Sequence, residues 1–275
     1  MQVNKKYLNK CLKDIILKPL YNESERQKRR KLIKLLKIVL QYQYDNCQEY
    51  KNICKYFRFD PKKLSNFSQI PYLTSSVFKE NLISSIPKSK IFRQINSSAT
   101  TSDNYSKIVL DKENNNRWSL SLQKMFLDRV GNERYKILFL DTKENMKKTS
   151  ILSARSSMLK SFLFVSNSYS TCLKLSKGKL MLDKRALNSF FRSIKKNEKI
   201  MIFGFTYVIY KHFLMEIIRD SKNYDLSNSI LVHAGGWKKL EKEKVSRKKL
   251  NHLIQKFLKI KTDNIIDIYG FSEQG

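Results

Sequence analysis

The chain has 275 residues, 41% of them hydrophobic and 29% charged, which allows one or two domains with a sizeable core and excludes a disordered chain. No run of about 18 apolar residues occurs, so no spanning helix is predicted. The formal net charge is +31. Lys, Asn and Ile are abundant together, as an AT-rich coding sequence produces, so the charge reads as a solvated surface. A nucleic-acid partner or an anionic membrane surface is the alternative. The N-terminus carries Lys5, Lys6, Lys10 and Lys13 without the apolar core of a secretory signal. Cys11, Cys47, Cys54 and Cys172 form no CxxC pair and no metal-ligand spacing. They read as reduced thiols of a cytoplasmic protein.

Residues 1–90 are expected to be a helical region packed on the core. Ser24 caps a helix whose apolar face is Leu32, Leu35, Leu36, Val39 and Leu40. Its basic residues, Arg26, Lys28, Arg29, Arg30, Lys31, Lys34 and Lys37, read as a solvated face. A second helix is expected over Gln48–Phe57, and Asp60-Pro61 and Ile70-Pro71 mark turns. From residue 91 to 275 short apolar runs alternate with amphipathic stretches. The strand candidates are Ile91–Ile95, Lys107–Leu110, Ile137–Leu140, Phe162–Val165, Ile200–Phe203, Ile230–His233 and Ile265–Ile268. The helix candidates are Arg117–Val130, Asp183–Lys195, Thr206–Asp220 and Ser246–Lys261. In the last, Leu250, Leu253, Ile254, Phe257 and Leu258 follow helical spacing. This alternation predicts an α/β fold, a mostly parallel sheet covered by helices.

In such sheets ligands sit beyond the C-terminal ends of the strands. Four predicted strands are followed there by polar or glycine-bearing loops, expected to converge on one edge. The first is Ser97-Ser98-Ala99-Thr100-Thr101-Ser102, a run of hydroxyls able to wrap phosphates or merely to connect strands. The second is Gly204-Phe205-Thr206. The third, His233-Ala234-Gly235-Gly236-Trp237, lets a ligand approach the backbone or is simply a tight turn. The fourth, Tyr269-Gly270-Phe271-Ser272-Glu273-Gln274, groups an aromatic ring, a hydroxyl and a carboxylate. Such a set can stack on a base, touch a phosphate and hold Mg²⁺, or be a plain strand-end loop. Glycine is scarce, with seven in the chain and none before Gly131, whereas phosphate loops usually contain it. There is no GxSxG, HExxH, GxxxxGK[ST] or GxGxxG pattern, and His212, His233 and His252 show no ligand spacing.

These four loops in this order resemble the adenylate-forming ligase superfamily. Within it, the chain is most similar to the LuxE-type acyl-protein synthetases of the bacterial bioluminescence fatty-acid reductase system. Phenylacetate–CoA ligases are more distant relatives. Ile70-Pro71-Tyr72-Leu73 and Phe78-Lys79 also resemble the entry to that fold, so the likeness runs from about residue 45 to the end. The resemblance implies ATP- and Mg²⁺-dependent conversion of a long-chain fatty acid or other carboxylate to an acyl-adenylate, followed by transfer to a protein thiol. It implies acyl-transferase and reductase subunits as partners; with the charge read as a solvated surface, no specific nucleic acid is expected. Ser97, Ser98, Thr100 and Thr101 match the family's phosphate loop, with Thr100 and Thr101 among the catalytic residues. Gly235 and Gly236 match the stretch beside the adenine, and Tyr269 and Gly270 the residues flanking its ring. Ser272 matches the hydroxyl near the α-phosphate and Glu273 the Mg²⁺ ligand.

Two departures stand out. Ala99 and Ser102 occupy the glycine positions of the family's phosphate loop, which costs about 1 kcal/mol or more wherever φ is positive. The chain also reaches its last residue, Gly275, directly after the fourth motif. In relatives the ribose-binding carboxylate, the C-terminal subdomain with its catalytic lysine and the acceptor cysteine lie further on. The expectation is therefore the N-terminal portion of such a ligase, with adenylation impaired in this chain alone. A non-catalytic remnant or interaction subunit of the family, and a basic nucleic-acid-binding protein, are the alternatives.

Overall fold

The computed structural model describes residues 4–18, 22–96, 105–147 and 152–269. Among these the chain forms two compact units, 4–131 with 152–153, and 132–147 with 154–269. The expected boundary near residue 90 falls inside the first of them.

The first unit opens with α1 (Lys5–Leu17), α2 (Glu25–Asn46) and α3 (Gln48–Tyr56). Ser24 and Gln27 form a reciprocal capping box on α2, the signal that makes this start legible in the sequence. Residues 57–92 are largely irregular, with short turns of 3₁₀ helix and one four-residue helix, α4 (Val77–Glu80), rather than a continuous helical region. Strands β1 (Arg93–Asn96) and β2 (Lys107–Leu110) pair antiparallel, and α5 (Lys112–Val130) follows β2. A two-residue strand, β4 (Leu152–Ser153), adds to β1 in parallel. These three strands make a sheet of their own. The first two strand candidates therefore do not join the large parallel sheet. Polar ties hold α1 to α5: Lys5 Nζ lies 2.7 Å from Asp111 Oδ2, and Arg117 donates to Asn9 at 2.5 Å.

The second unit is built on six strands in the order β6-β5-β3-β7-β8-β9. They are β3 (Tyr135–Thr142), β5 (Ser166–Ser176), β6 (Lys179–Leu182), β7 (Ile200–Phe205), β8 (Ser229–Ala234) and β9 (Ile265–Ile268). All pairings are parallel except the β5–β6 hairpin. The α/β reading of a helical start followed by a mostly parallel sheet with helices holds. The helices are α6 (Lys143–Met146), α7 (Ala154–Ser161), α8 (Lys184–Arg192), α9 (Thr206–Val208), α10 (Met215–Arg219) and α11 (Arg247–Leu258). A π-helical segment, Ile209–Leu214, joins α9 to α10 without a break.

Central parallel strands are covered on both faces, so they read as continuous apolar runs. Leu138, Leu140, Ile202 and Leu231 point to one face, where they pack with Leu187, Phe213, Leu250 and Ile254 of the helical layer. On the other face Phe203 meets Phe139 and Phe162, at 6.0 and 4.7 Å between ring centroids. Phe162–Val165, expected as a strand, closes α7 and forms a 3₁₀ turn instead. A four-residue apolar run has no period of its own, and burial of Phe162 and Val165 is satisfied by the turn. The strand that follows, β5, begins Ser166-Asn167-Ser168, a polar and largely exposed start without an apolar signal. Its hairpin turns on Lys177 and Gly178, both with positive φ, as a two-residue turn between twisted strands requires.

Candidate functional site

The C-terminal edge of β3, β7, β8 and β9 carries the unit's polar cluster. Strand register fixes it: Gly204 stands beside His233, and His233 beside Asp267, in one row across β7, β8 and β9. Beyond that row the chain leaves β7 through Phe205 and Thr206, and β8 through Ala234, Gly235 and Gly236. Gly204 is required by packing, since a Cβ there would lie 2.9 Å from Leu140 Cβ. Gly235 has φ +75°, and a Cβ would press on the Phe205 ring at 3.2 Å. Gly236 differs from both. Among the described residues nothing lies within 4 Å of where its Cβ would be, so its backbone faces open space there.

The glycine turn is anchored by Thr206. Its Oγ1 lies 2.7 Å from the Gly235 carbonyl, 3.3 Å from that of Ala234 and 3.0 Å from His233 Nδ1. Carbonyls only accept, so the hydroxyl donates to Gly235 and His233 Nδ1–H donates to Thr206. That fixes the His233 tautomer and leaves Nε2 a bare acceptor, buried and without a partner among the described residues. Burial lowers the His233 pKa below the ordinary imidazole value. The Asp267 carboxylate, 3.5 Å from Nδ1, opposes this, and Arg247 adds to the lowering.

A second group sits at the end of β3. Asp141, with no exposed side-chain surface, accepts from the Thr142 N–H and Asn145 Nδ2 through Oδ1, and from Arg155 Nε through Oδ2 at 2.5 Å. Arg155 Nη1 donates to the Tyr207 hydroxyl at 3.1 Å, and the guanidinium lies 5.4 Å from the centroid of the Phe205 ring. Next to it runs the π-helical segment with His212, whose pKa is lowered by burial and by the Lys211 and Arg155 charges. Wide helical turns of this kind recur at functional sites.

Of the residues expected from the sequence, Gly235, Gly236 and Tyr269 are brought to this edge. Ala234 pairs with Ile268, so Gly235 and Tyr269 each stand one residue past the same register. The Tyr269 side chain is 85% exposed. Ser97, Ser98, Thr100, Thr101, Gly270, Ser272 and Glu273 lie outside the described residues. The first loop follows β1, which belongs to the three-stranded sheet, so strand order in the large sheet does not itself bring that loop to this edge. Asp141, Arg155, Thr206, His233 and Asp267 were not singled out as site residues from sequence. The signal was there for Asp141-Thr142, two polar residues ending an apolar strand, and for Thr206 at the helix start after Gly204-Phe205. Arg155 carried none. Cys172 is fully buried, and burial, with Asp183 and Asp141, pushes its thiol pKa well up, as for a structural thiol.

The family model for LuxE, acyl-protein synthetase, matches residues 1–275. The chain belongs to the LuxE acyl-protein synthetase family. Its fold is similar to that of an adenylate-forming CoA ligase. One crystal structure, an open conformation of 2-hydroxyisobutyryl-CoA ligase in complex with 2-HIB-AMP and CoA, superposes with a TM-score of 0.65 at 13% identity. The match covers 94% of this chain and 59% of that one. A second structure of the ligase, in the postadenylation state with R3-HIB-AMP, gives a TM-score of 0.66 at 12% identity, over 93% and 53% of the two chains. This LuxE-family chain thus spans little more than half the length of the solved ligases. No curated protein matches it. Among the described residues, no helix is long and apolar enough to cross a membrane, and no group of three His, Cys, Asp or Glu side chains is placed to hold a metal ion.

Proposed function

We propose that this chain carries the nucleotide-binding part of an ATP-dependent acyl-adenylating ligase. Its substrate is a long-chain fatty acid or another carboxylate, and its acyl acceptor a protein thiol. The observation that carries the reading is the edge of β8 and β9, in a chain whose family model spans every residue. There the open backbone of Gly236 and the exposed Tyr269 ring end neighbouring strands. A flat purine fits such a place, since it needs backbone free of side chain on one side and an aromatic face on the other. Gly235 and Gly236 would lie beside the adenine, with Tyr269 and Gly270 flanking its ring. Ser97, Ser98, Thr100 and Thr101 would wrap the phosphates, Ser272 would approach the α-phosphate, and Glu273 would hold Mg²⁺. ATP supplies the leaving group that makes the carboxylate reactive. Hydroxyls and metal neutralise charge at phosphorus. Acyl-transferase and reductase subunits are the partners this reading implies.

Ala99 and Ser102 favour a second reading, a member that binds nucleotide without turning it over. Fatty-acid-dependent ATP–pyrophosphate exchange, measured beside ATP binding, separates the two. Exchange abolished by Glu273→Ala supports adenylation, binding without exchange supports the second reading, and no binding overturns both.

A further inference from the structure

The guanidinium of Arg155 holds a donor that no described residue uses. Nε is engaged by Asp141 and Nη1 by the Tyr207 hydroxyl. Nη2 is buried and has no hydrogen-bond partner among the described residues. A guanidinium nitrogen carries two N–H groups and part of a positive charge, and burying it unpaired forfeits its hydration without return. Such groups in folded proteins call for a bound water, ion or ligand. Asp141 does not accept from it: Oδ1 receives the Thr142 and Asn145 donors, and Oδ2 receives the Arg155 Nε donor. Beside it, burial and the Lys211 and Arg155 charges lower the His212 pKa, against the Glu216 and Glu243 carboxylates.

Placement turns this unused donor into a recognition element. The guanidinium lies over the Phe205 ring, and the same ring is the nearest neighbour of Gly235 on its side-chain side. Arg155 is therefore one aromatic ring away from the glycine turn, on the same sheet edge. Its side chain is 26% exposed, so the residue is not sealed from solvent. The tether to a fully buried carboxylate keeps the group oriented, and a planar fork bound on one side offers its other side to an anion.

We infer that Arg155 binds an anionic oxygen of the ligand, carboxylate or phosphate, through Nη2, with Asp141 and Tyr207 holding the guanidinium in place. This rests on the proposed function and adds the residue that reads the ligand's charge. The test is calorimetric binding of decanoate, decanol and ATP to the full chain. It compares wild type, Arg155→Lys, and the pair Asp141→Asn with Arg155→Gln, which leaves no buried charge should the lysine variant misfold. Lysine keeps the charge opposite Asp141 but not the fork. Loss of a charge-assisted hydrogen bond predicts decanoate affinity falling about 10- to 100-fold in both variants, with decanol binding unchanged. If the anion is a phosphate, ATP affinity falls by that factor instead and the preference for decanoate over decanol holds. Wild type that binds both ATP and decanoate, with variants that match it, overturns the inference alone. Wild type that binds neither overturns the proposed function and the inference with it.

Discussion

Strand β3 buries every residue but Lys136, whereas α2, a helix of 22 residues, buries a single side chain, Gln41. The contrast extends to the two units. In the second, apolar strands and helix faces interlock on both sides of a sheet. In the first, fewer apolar residues are buried, among them Leu8, Leu64, Ile95 and Phe126, and ion pairs and caps tie the helices. The difference shows where precision is kept. A site at the end of β7, β8 and β9 inherits the rigidity of a close-packed sheet. Helices held by exposed polar ties open more easily.

The largest expected effect tests the packed unit. Phe139→Ala empties a fully buried ring site beside Phe203, and should cost about 3–5 kcal/mol of unfolding free energy in denaturant titration. A loss below about 1 kcal/mol would mean that the sheet is not the rigid half. Next is the anchor of the glycine turn. Thr206→Val keeps the shape but leaves the Gly235 carbonyl and His233 Nδ1–H unpaired, for about 1–3 kcal/mol, and Thr206→Ser restores most of it. Equal losses in both variants would contradict the assigned hydrogen bonds. In the first unit, Asp111 caps α5 through the Asn114 N–H and pairs with Lys5. Burial raises the Asp111 pKa, and the Lys5 and Asn114 hydrogen bonds outweigh it to leave a net lowering. Asp111→Ala should cost about 1–2 kcal/mol. Amide exchange should speed up in α1 and α5 and not in β3, and uniform acceleration would erase the contrast between the units.

The remaining effect is a pH dependence. His233 and His212 both have pKa values lowered by burial, so the unfolded chain takes up protons that the native fold refuses. Stability is then full above the ordinary histidine value and falls as pH drops from about 7 towards 5, by at most about 1.4 kcal/mol per pH unit for each histidine. Asp111, with its lowered pKa, acts in a separate and more acidic window, losing its contribution as the carboxylate protonates. Thermal melts of the His212→Asn, His233→Asn double variant should be flat between pH 5 and 7 if the account is right. An unchanged slope would place the proton uptake elsewhere.

How far the sequence reached follows the same division. Ile265–Ile268 and Lys107–Leu110 match their strands residue for residue, and α2 begins where Ser24 signals it. Continuous apolar runs and capping side chains are local signals. What stayed hidden depends on partners distant in the chain. The serine-rich β5 is a strand because β3 and β6 pair with it, and β1 leaves the large sheet because β2 and β4 claim it. At the candidate site, Gly235, Gly236 and Tyr269 are the expected residues that strand register brings to one edge, since each follows an apolar strand legible in sequence. Arg155 and Asp141, 14 residues apart, mean nothing until the fold brings them together.

The central claim is that the edge of β8 and β9 holds the nucleotide, and Gly236 tests it most directly. Among the described residues a Cβ there meets nothing within 4 Å, so Gly236→Leu should leave the melting temperature unchanged while filling the space assigned to the adenine. Calorimetric titration with ATP and Mg²⁺ should show wild-type binding and loss of affinity of at least about 100-fold, worth some 2.7 kcal/mol, in the variant. ATP bound equally well by a folded Gly236→Leu protein would contradict the account.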